Sequence, residues 1–252
     1  MTKLSLPELP LDKQCHVIEY NECGIFAIHK ATGVLSHPNP NNSKSRARSL
    51  LIAKYNSEKE FYEWNDSQGL SQKFYLCHRL DSPTSGVIIG AQNPKVASLI
   101  KKEFSKRRIE KTYLAITEFN PRIKEGTWTD FLVEEKINGK LRVARGKGPK
   151  CQANARFLQR KKGTTHLQLI ELKPLTGRTH QLRVQCMLRK MPIIGDKTYG
   201  NFALNRRVQK DSKLDRLCLH ASEIRFSINY ESKTIEFYCE SPLPRIMGKI
   251  LS

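Results

Sequence analysis

A carboxylate, Asp81, stands between an arginine and a turn in Leu76-Cys77-His78-Arg79-Leu80-Asp81-Ser82-Pro83-Thr84-Ser85-Gly86, and an apolar run, Val87-Ile88-Ile89, follows with strand character. A carboxylate that stays ionised at neutral pH can attack a substrate as a nucleophile with no help from a cofactor. Burial in a cleft raises the pKa of such a group, and a nearby guanidinium opposes that shift. A second cluster, Thr176-Gly177-Arg178-Thr179-His180-Gln181-Leu182-Arg183-Val184, offers a guanidinium at Arg183. Taken one at a time, these residues have bland readings too. Asp81 suits a turn cap, Arg183 a helix surface, Tyr113 an ordinary strand aromatic, and His78, His180 and His220 hydrogen-bonded structural positions.

Most cofactor chemistry is excluded by what the chain does not spell. It has no G-x-x-x-x-G-K-[ST] phosphate loop, no H-E-x-x-H and no G-x-S-x-G. Gly146-x-Gly148 begins like a dinucleotide fingerprint, but Cys151 stands where the third glycine belongs. No cofactor and no metal are therefore expected. The seven cysteines include no pair at the two-residue spacing of a zinc knuckle or redox motif, so they read as buried thiols of a reducing, cytoplasmic compartment.

Charge points to the partner. Forty-four Lys and Arg against 24 Asp and Glu leave +20. The excess is clustered: Lys136 to Lys162 holds ten basic residues and no acidic one, and Lys101 to Lys111 adds a second group. Such patches attract polyphosphate and release its counterions. A basic surface kept for solubility is the dull alternative, but an acid-free basic run serves solubility poorly. No apolar run reaches the length of about 18 residues that a membrane span needs. The first residues lack the apolar core of a signal peptide and carry acidic residues that a transit peptide avoids.

The elements that must position Asp81 and its neighbours can be read coarsely. Residues 1–14 read as an irregular arm interrupted by Pro7 and Pro10, and 15–252 as one domain. Val17–Tyr20 and Gly24–Lys30 read as short strands, Ala31-Thr32-Gly33 as a turn and His37–Asn42 as a loop. Ser49–Tyr55 reads as a helix and Asn56–Ser71 as a polar, exposed excursion. Asn93-Pro94 with Val96, Leu99, Ile100 and Phe104 predicts a capped amphipathic helix. Lys111–Ile116 reads as a strand, and His166–Lys173, apolar on both faces, as a central one. Thr179–Met191 looks helical with Thr179 as its cap, and Ala221–Phe226 and Thr234–Cys239 close the chain as strands. The fold class expected is α+β, a mixed, mostly antiparallel central sheet flanked by helices, with an RNA-binding cleft.

Laid end to end, the motifs resemble those of the RluA-type pseudouridine synthases, which isomerise uridine within RNA. The likeness runs from about residue 17 to residue 244. His78-Arg79-Leu80-Asp81 with Thr84-Ser85-Gly86 matches the family's catalytic motif, and the resemblance implies that Asp81 is the nucleophile. Members of the family flip the target uridine out of the RNA, and Arg79 corresponds to an arginine that can fill the vacated space. Lys111-Thr112-Tyr113 matches a Lys-x-Tyr element, which implies that Tyr113 stacks on the flipped base and assists proton removal from C5. Arg183 is implied to pair with Asp81. His78, Lys111, Arg178, Thr179 and His180 are implied to contact RNA or brace the loop around it. The segment Ile28-His29-Lys30-Ala31-Thr32-Gly33 through His37-Pro38 resembles the family's Asn-Lys-Pro-x-Gly…His-Pro stretch. Pro192-Ile193-Ile194-Gly195-Asp196-Lys197-Thr198-Tyr199-Gly200 and Leu217-Cys218-Leu219-His220-Ala221 match its later motifs.

Two departures stand out. Ala31 replaces the usual proline, and Gln185 the usual histidine. No S4 RNA-binding domain fits before the match, so docking is expected to rest on the domain's own basic surfaces, with tRNA or a ribosomal RNA stem-loop as partner and a monomer as the working form. Uridine isomerisation involves no net redox change, in keeping with the missing cofactor motifs. Whether Asp81 attacks the ribose or the base stays open. A non-catalytic RNA-binding or chaperone protein on the same scaffold is the competing reading. A methyltransferase is a distant third, because no methyl-donor pocket can be found.

Overall fold

The structure is a computed structural model that describes residues 8–38, 48–137, 139–161 and 166–251. In chain order the elements are β1 (His16–Tyr20), β2 (Ile25–Lys30), β3 (Lys54–Asn56), β4 (Phe61–Asn65), β5 (Ser71–Leu76), β6 (Ser85–Ala91), α1 (Pro94–Ser105), β7 (Glu110–Glu118), β8 (Gly126–Ile137), β9 (Lys140–Lys161), β10 (Leu167–Pro174), α2 (Gln181–Leu188), α3 (Phe202–Ser212), β11 (Leu219–Tyr230), β12 (Lys233–Glu240) and α4 (Arg245–Lys249). The architecture is α+β. The chain divides into two compact units, one formed by residues up to Ile109 with Glu223–Ser241, the other by Glu110–Ser222 with Pro242–Ser252. Among the described residues no helix is long and apolar enough to cross a membrane.

In the first unit β1 pairs with β2, β2 with β6, β5 with β6 and with β4, and β4 with β3, all antiparallel. Every residue of β6 is buried, as expected for its unbroken Val-Ile-Ile run. Gly90 on that strand leaves room for the Phe74 ring, which a Cβ at this position would strike. Helix α1 forms as its spacing predicts. Asn93 accepts hydrogen bonds from the Lys95 and Val96 amides, a cap worth about 1 kcal/mol, and Val96, Ala97 and Ile100 face the core. Strands β11 and β12 form the expected closing hairpin, in register from Glu223–Glu240 to Tyr230–Lys233.

Two expectations fail here. Ser49–Tyr55 is not a helix: Ser49 and Leu51 form bridges of extended chain, Lys54 opens β3, and Leu50 and Leu51 are both fully buried. Backbone bridges Leu35–Ser49 and Leu11–Leu51 hold the segment on both sides. Asn56–Ser71 is not a solvent excursion, because it contains β4, whose Phe61 and Tyr62 are buried and whose Tyr62 hydroxyl donates to the Ser36 carbonyl. Polar Glu, Lys and Asp around those aromatics mask a strand whose buried part is two residues long. Residues 1–7 of the predicted arm and 39–42 of the predicted loop lie outside the described residues.

The second unit is an antiparallel sheet in the order β7–β10–β9–β8, with α2, α3 and α4. β10 is central to these strands and apolar on both faces, as its sequence requires. Its core joins Ala115 and Ile116 of β7, Leu167, Ile170 and Leu172 of β10, Cys186 of α2 and Met247 of α4. From Lys140 to Lys161 the acid-free basic run is a single long strand, β9, folded back on β8 as a hairpin. Gly146 and Gly148 serve that hairpin. The register breaks between Phe131, opposite Lys150, and Leu132, opposite Arg145, and a Cβ on Gly148 would collide with the Leu132 carbonyl. These glycines therefore permit a bulge against β8. Helix α2 starts at Gln181 rather than Thr179. The residue at its N-cap is His180, in left-handed backbone (φ 51°), and its side chain makes no capping bond. Its imidazole is engaged elsewhere.

Candidate active site

The structure places His78, Arg79 and Asp81 in the first unit, and Lys111, Tyr113, Arg178, Thr179, His180 and Arg183 in the second. Each group is built by its own local scaffold.

Asp81 is half-buried in the connection between β5 and β6. The Thr84 amide donates to the Asp81 carbonyl at 3.0 Å, closing a tight turn. The turn is fixed from outside by the β2–Gly33 segment. Gly33, at φ 80°, donates its amide to the Ser82 carbonyl at 2.8 Å, and the Thr32 hydroxyl donates to the Pro83 carbonyl at 2.8 Å. Ser36 closes the other side: its hydroxyl donates to the Leu80 carbonyl and accepts from the Leu80 amide. At the centre is Lys30, fully buried, whose ammonium donates to the carbonyls of Ala31, Val34 and Ser82 at 3.1, 2.7 and 3.1 Å. A buried ammonium needs such partners, and three carbonyls converging on it organise two loops at once. Lys30→Met is expected to leave those carbonyls short of a donor and to lower stability by about 2–3 kcal/mol, checked by urea unfolding.

Flanking residues are oriented with similar economy. The Ile89 amide donates to His78 Nε2 at 3.0 Å, and the His78 ring packs on Phe104 with centroids 4.7 Å apart. Arg79 is exposed, and its Nη1 donates to His37 Nε2 at 2.9 Å while His37 Nδ1 lies 2.9 Å from the Pro38 carbonyl. His37 in turn stacks on Tyr55 with centroids 5.0 Å apart. His37 was visible in the sequence only as part of a family segment, and Tyr55 not at all. The signal for both is the stacking of a loop imidazole on a ring of β3.

In the second unit Tyr113 sits on β7, half-buried and packed against the sheet's core. Lys111, two residues before it, reaches the second cluster: a Cβ on Gly177 would lie 3.8 Å from its ammonium nitrogen. Burial pushes the Lys111 ammonium below its ordinary pKa. The cluster's turn is organised by Gln181, whose Oε1 accepts from the Thr176 hydroxyl at 2.7 Å and the Arg178 amide at 3.1 Å. Arg178 itself is exposed, and Thr179 and His180 are half-buried. Gln185, the departure from the usual histidine, is fully buried. Its amide accepts from Gln181 Nε2 and donates to Asp130 Oδ2, a carboxylate also held by Arg189 at 2.8 Å. An amide that donates and accepts at once fits this position and ties α2 to β8.

Arg183 is no surface residue. It is 5% exposed and makes a bidentate ion pair with Asp196, Nε to Oδ2 at 2.7 Å and Nη2 to Oδ1 at 2.9 Å. Asp196 also accepts from the Thr198 and Tyr199 amides. Burial pushes the Asp196 carboxyl up, but the Arg183 hydrogen bonds and charge, with those amides, outweigh it and hold the pKa below the ordinary value. The Arg183 guanidinium also lies 5.1 Å from the centre of the Tyr199 ring. The sequence placed Asp196 in a motif without assigning it this task.

Comparison with known proteins gives the family. The family profile described as RNA pseudouridylate synthase matches residues 24–188. Among curated relatives, the chain is 31% identical over 217 residues to ribosomal large subunit pseudouridine synthase D of Borreliella burgdorferi, covering 85% of this chain and 62% of that protein, so the match spans less than two thirds of its length. It is 32% identical over 230 residues to tRNA pseudouridine synthase C of Vibrio cholerae, covering 86% of this chain and 88% of that one. Among solved structures, human RNA pseudouridylate synthase domain containing 1 superposes with a TM-score of 0.67 at 21% identity, over 98% of this chain and 91% of that one, a likeness of fold. By profile and by relatives, the chain belongs to the RluA-type family of RNA pseudouridine synthases, isomerases that convert uridine in RNA to pseudouridine.

Proposed function

We propose that residues 15–252 act as one catalytic domain that isomerises a uridine of a structured RNA, a tRNA or a ribosomal RNA stem-loop, with Asp81 as nucleophile. The observation that carries the proposal is the setting of Asp81. It is the carboxylate of a turn clamped by Gly33, Thr32, Ser36 and the buried Lys30, and that turn lies inside the family-matched segment. Asp81 attacks the flipped nucleotide at the ribose or the base through a carboxylate oxygen, the N1–C1′ bond breaks, the base turns, C5 bonds to C1′, and the bond to Asp81 breaks to return its free carboxylate. The C5 proton then leaves and N1 ends protonated, so atoms and electrons balance without an oxidant or cofactor. Tyr113, anchored on β7, stacks on the flipped base and assists removal of the C5 proton. Arg183, buried and held by Asp196, is the arginine that serves the catalytic carboxylate in this reading. Arg79, exposed and steadied by His37, fills the space the uridine leaves, and Arg178, Thr179, His180 and Lys111 hold the RNA, with His78 bracing the turn.

The exposed Arg145, Lys147 and Lys150 of β9 and Lys102, Lys106, Arg107 and Arg108 at the end of α1 supply charge for the phosphate backbone. The seven free thiols suit a reducing cytoplasm, and a monomer carries every residue named here. Incubation of the purified chain with unmodified tRNA and ribosomal RNA transcripts tests the reading. Pseudouridine at a defined position supports it; salt-sensitive binding with no pseudouridine in any transcript overturns it in favour of a non-catalytic binder.

A further inference from the structure

Tyr199 occupies a junction that the mechanism above leaves unused. It is 9% exposed and packs with Leu132, Val143, Cys151 and Val184. Its hydroxyl accepts from the Val143 amide on β9 at 2.9 Å and lies 2.8 Å from His180 Nδ1. Its own amide donates to Asp196, the partner of Arg183, and its ring lies beneath the Arg183 guanidinium. One side chain thus touches the basic hairpin, the residue at the start of α2 and the buried ion pair. The Val143 amide occupies one acceptor position of the hydroxyl and leaves its proton able to point to His180 Nδ1. That arrangement puts the imidazole's single proton on Nε2 and makes that nitrogen a donor. His180 holds left-handed backbone (φ 51°) without any side-chain cap, a conformation uncommon for a residue with a Cβ that a fixed ring contact helps maintain.

We propose that Tyr199 is a positioning residue for RNA binding: its hydroxyl locks the β8–β9 hairpin to His180 and holds that imidazole as the Nε2–H tautomer, a hydrogen-bond donor for a backbone oxygen of the RNA. The proposal rests on the assignment of His180 as an RNA contact. It distinguishes the ring, which packs against Arg183, from the hydroxyl, which serves binding. Burial pushes the Tyr199 phenol above its ordinary pKa, so the hydroxyl keeps its proton at neutral pH.

The test is Tyr199→Phe in the full chain, assayed on the RNA transcript that the wild-type protein modifies. Loss of one hydrogen bond of this kind is expected to raise KM for the RNA by about tenfold, with kcat within about twofold because the ring beneath Arg183 remains. Nitrogen NMR of His180 in the RNA-free protein should show the Nε2–H tautomer in the wild type and a mixture in the variant, a signature that mere packing would not move. His180→Ala should add little to the KM of Tyr199→Phe. An unchanged KM, a defect confined to kcat, an unaltered tautomer, or fully additive effects with His180→Ala each overturn the proposal. Asp81→Asn, assayed on the same transcript, keeps the outcomes apart. If it makes no product while Tyr199→Phe behaves as wild type, only the role of Tyr199 fails; if it makes product normally, the catalytic reading itself fails.

Discussion

Asp81→Asn is expected to bind the same RNA with affinity within about twofold of wild type and to form no detectable pseudouridine, a loss of at least about 10³-fold in rate. Asparagine keeps the size of the side chain and one oxygen but lacks the charge and nucleophilicity of the carboxylate. The surrounding clamp is made largely of backbone carbonyls, amides and Lys30, none of which is altered by the change. The turn should therefore keep its shape. Thermal unfolding separates a chemical defect from a folding one: the midpoint should move by no more than a few degrees while activity vanishes. A variant that makes pseudouridine at the normal rate contradicts the nucleophile assignment, and one that loses RNA binding in proportion to activity contradicts the separation of chemistry from docking.

The second large effect belongs to stability. Asp196→Asn removes the carboxylate that holds Arg183 in a bidentate buried pair, and breaking a buried pair in this way is expected to cost about 3–5 kcal/mol. Both partners are almost wholly buried, at 6% and 1% side-chain exposure, so solvent offers little screening. The same pair sets an acid limit. Because the folded Asp196 titrates below its ordinary value of 3.8, the pair's contribution is complete above that value and is lost as pH falls through the lower folded pKa. Urea unfolding at pH 7 and pH 3 checks both statements. The wild type should lose stability toward pH 3, and Asp196→Asn should be weaker at pH 7 with a shallower acid loss. Equal stability of the two proteins at pH 7 contradicts the assignment of Arg183 and Asp196 as a structural ion pair.

What the sequence revealed follows from how local each signal is. Helix α1 was legible because Asn93, Pro94 and the spacing of Val96, Ile100 and Phe104 act within a few turns. β10 was legible because apolar residues on both faces leave few other options. Ser49–Tyr55 was not, since burial of both Leu50 and Leu51 depends on strand bridges to Leu11 and Leu35. β4 was hidden by its polar neighbours, since only Phe61 and Tyr62 of its five residues are buried. The start of α2 was misplaced for a tertiary reason: the Tyr199 hydroxyl engages His180, and no side chain caps the helix. At the site, the family resemblance of the motifs implied Asp81, Tyr113 and Arg183. The groups that steady them, Lys30, His37, Gln181 and Asp196, show their tasks only through burial and hydrogen bonds between segments far apart in sequence.

Pseudouridine mapping of total RNA from cells carrying the intact gene, a deletion and the Asp81→Asn allele tests the central claim most directly. A uridine isomerase that depends on Asp81 predicts at least one tRNA or ribosomal RNA position that is pseudouridine with the intact gene and uridine in both other strains. Identical maps in all three strains, or a position lost in the deletion but retained with Asp81→Asn, contradict it.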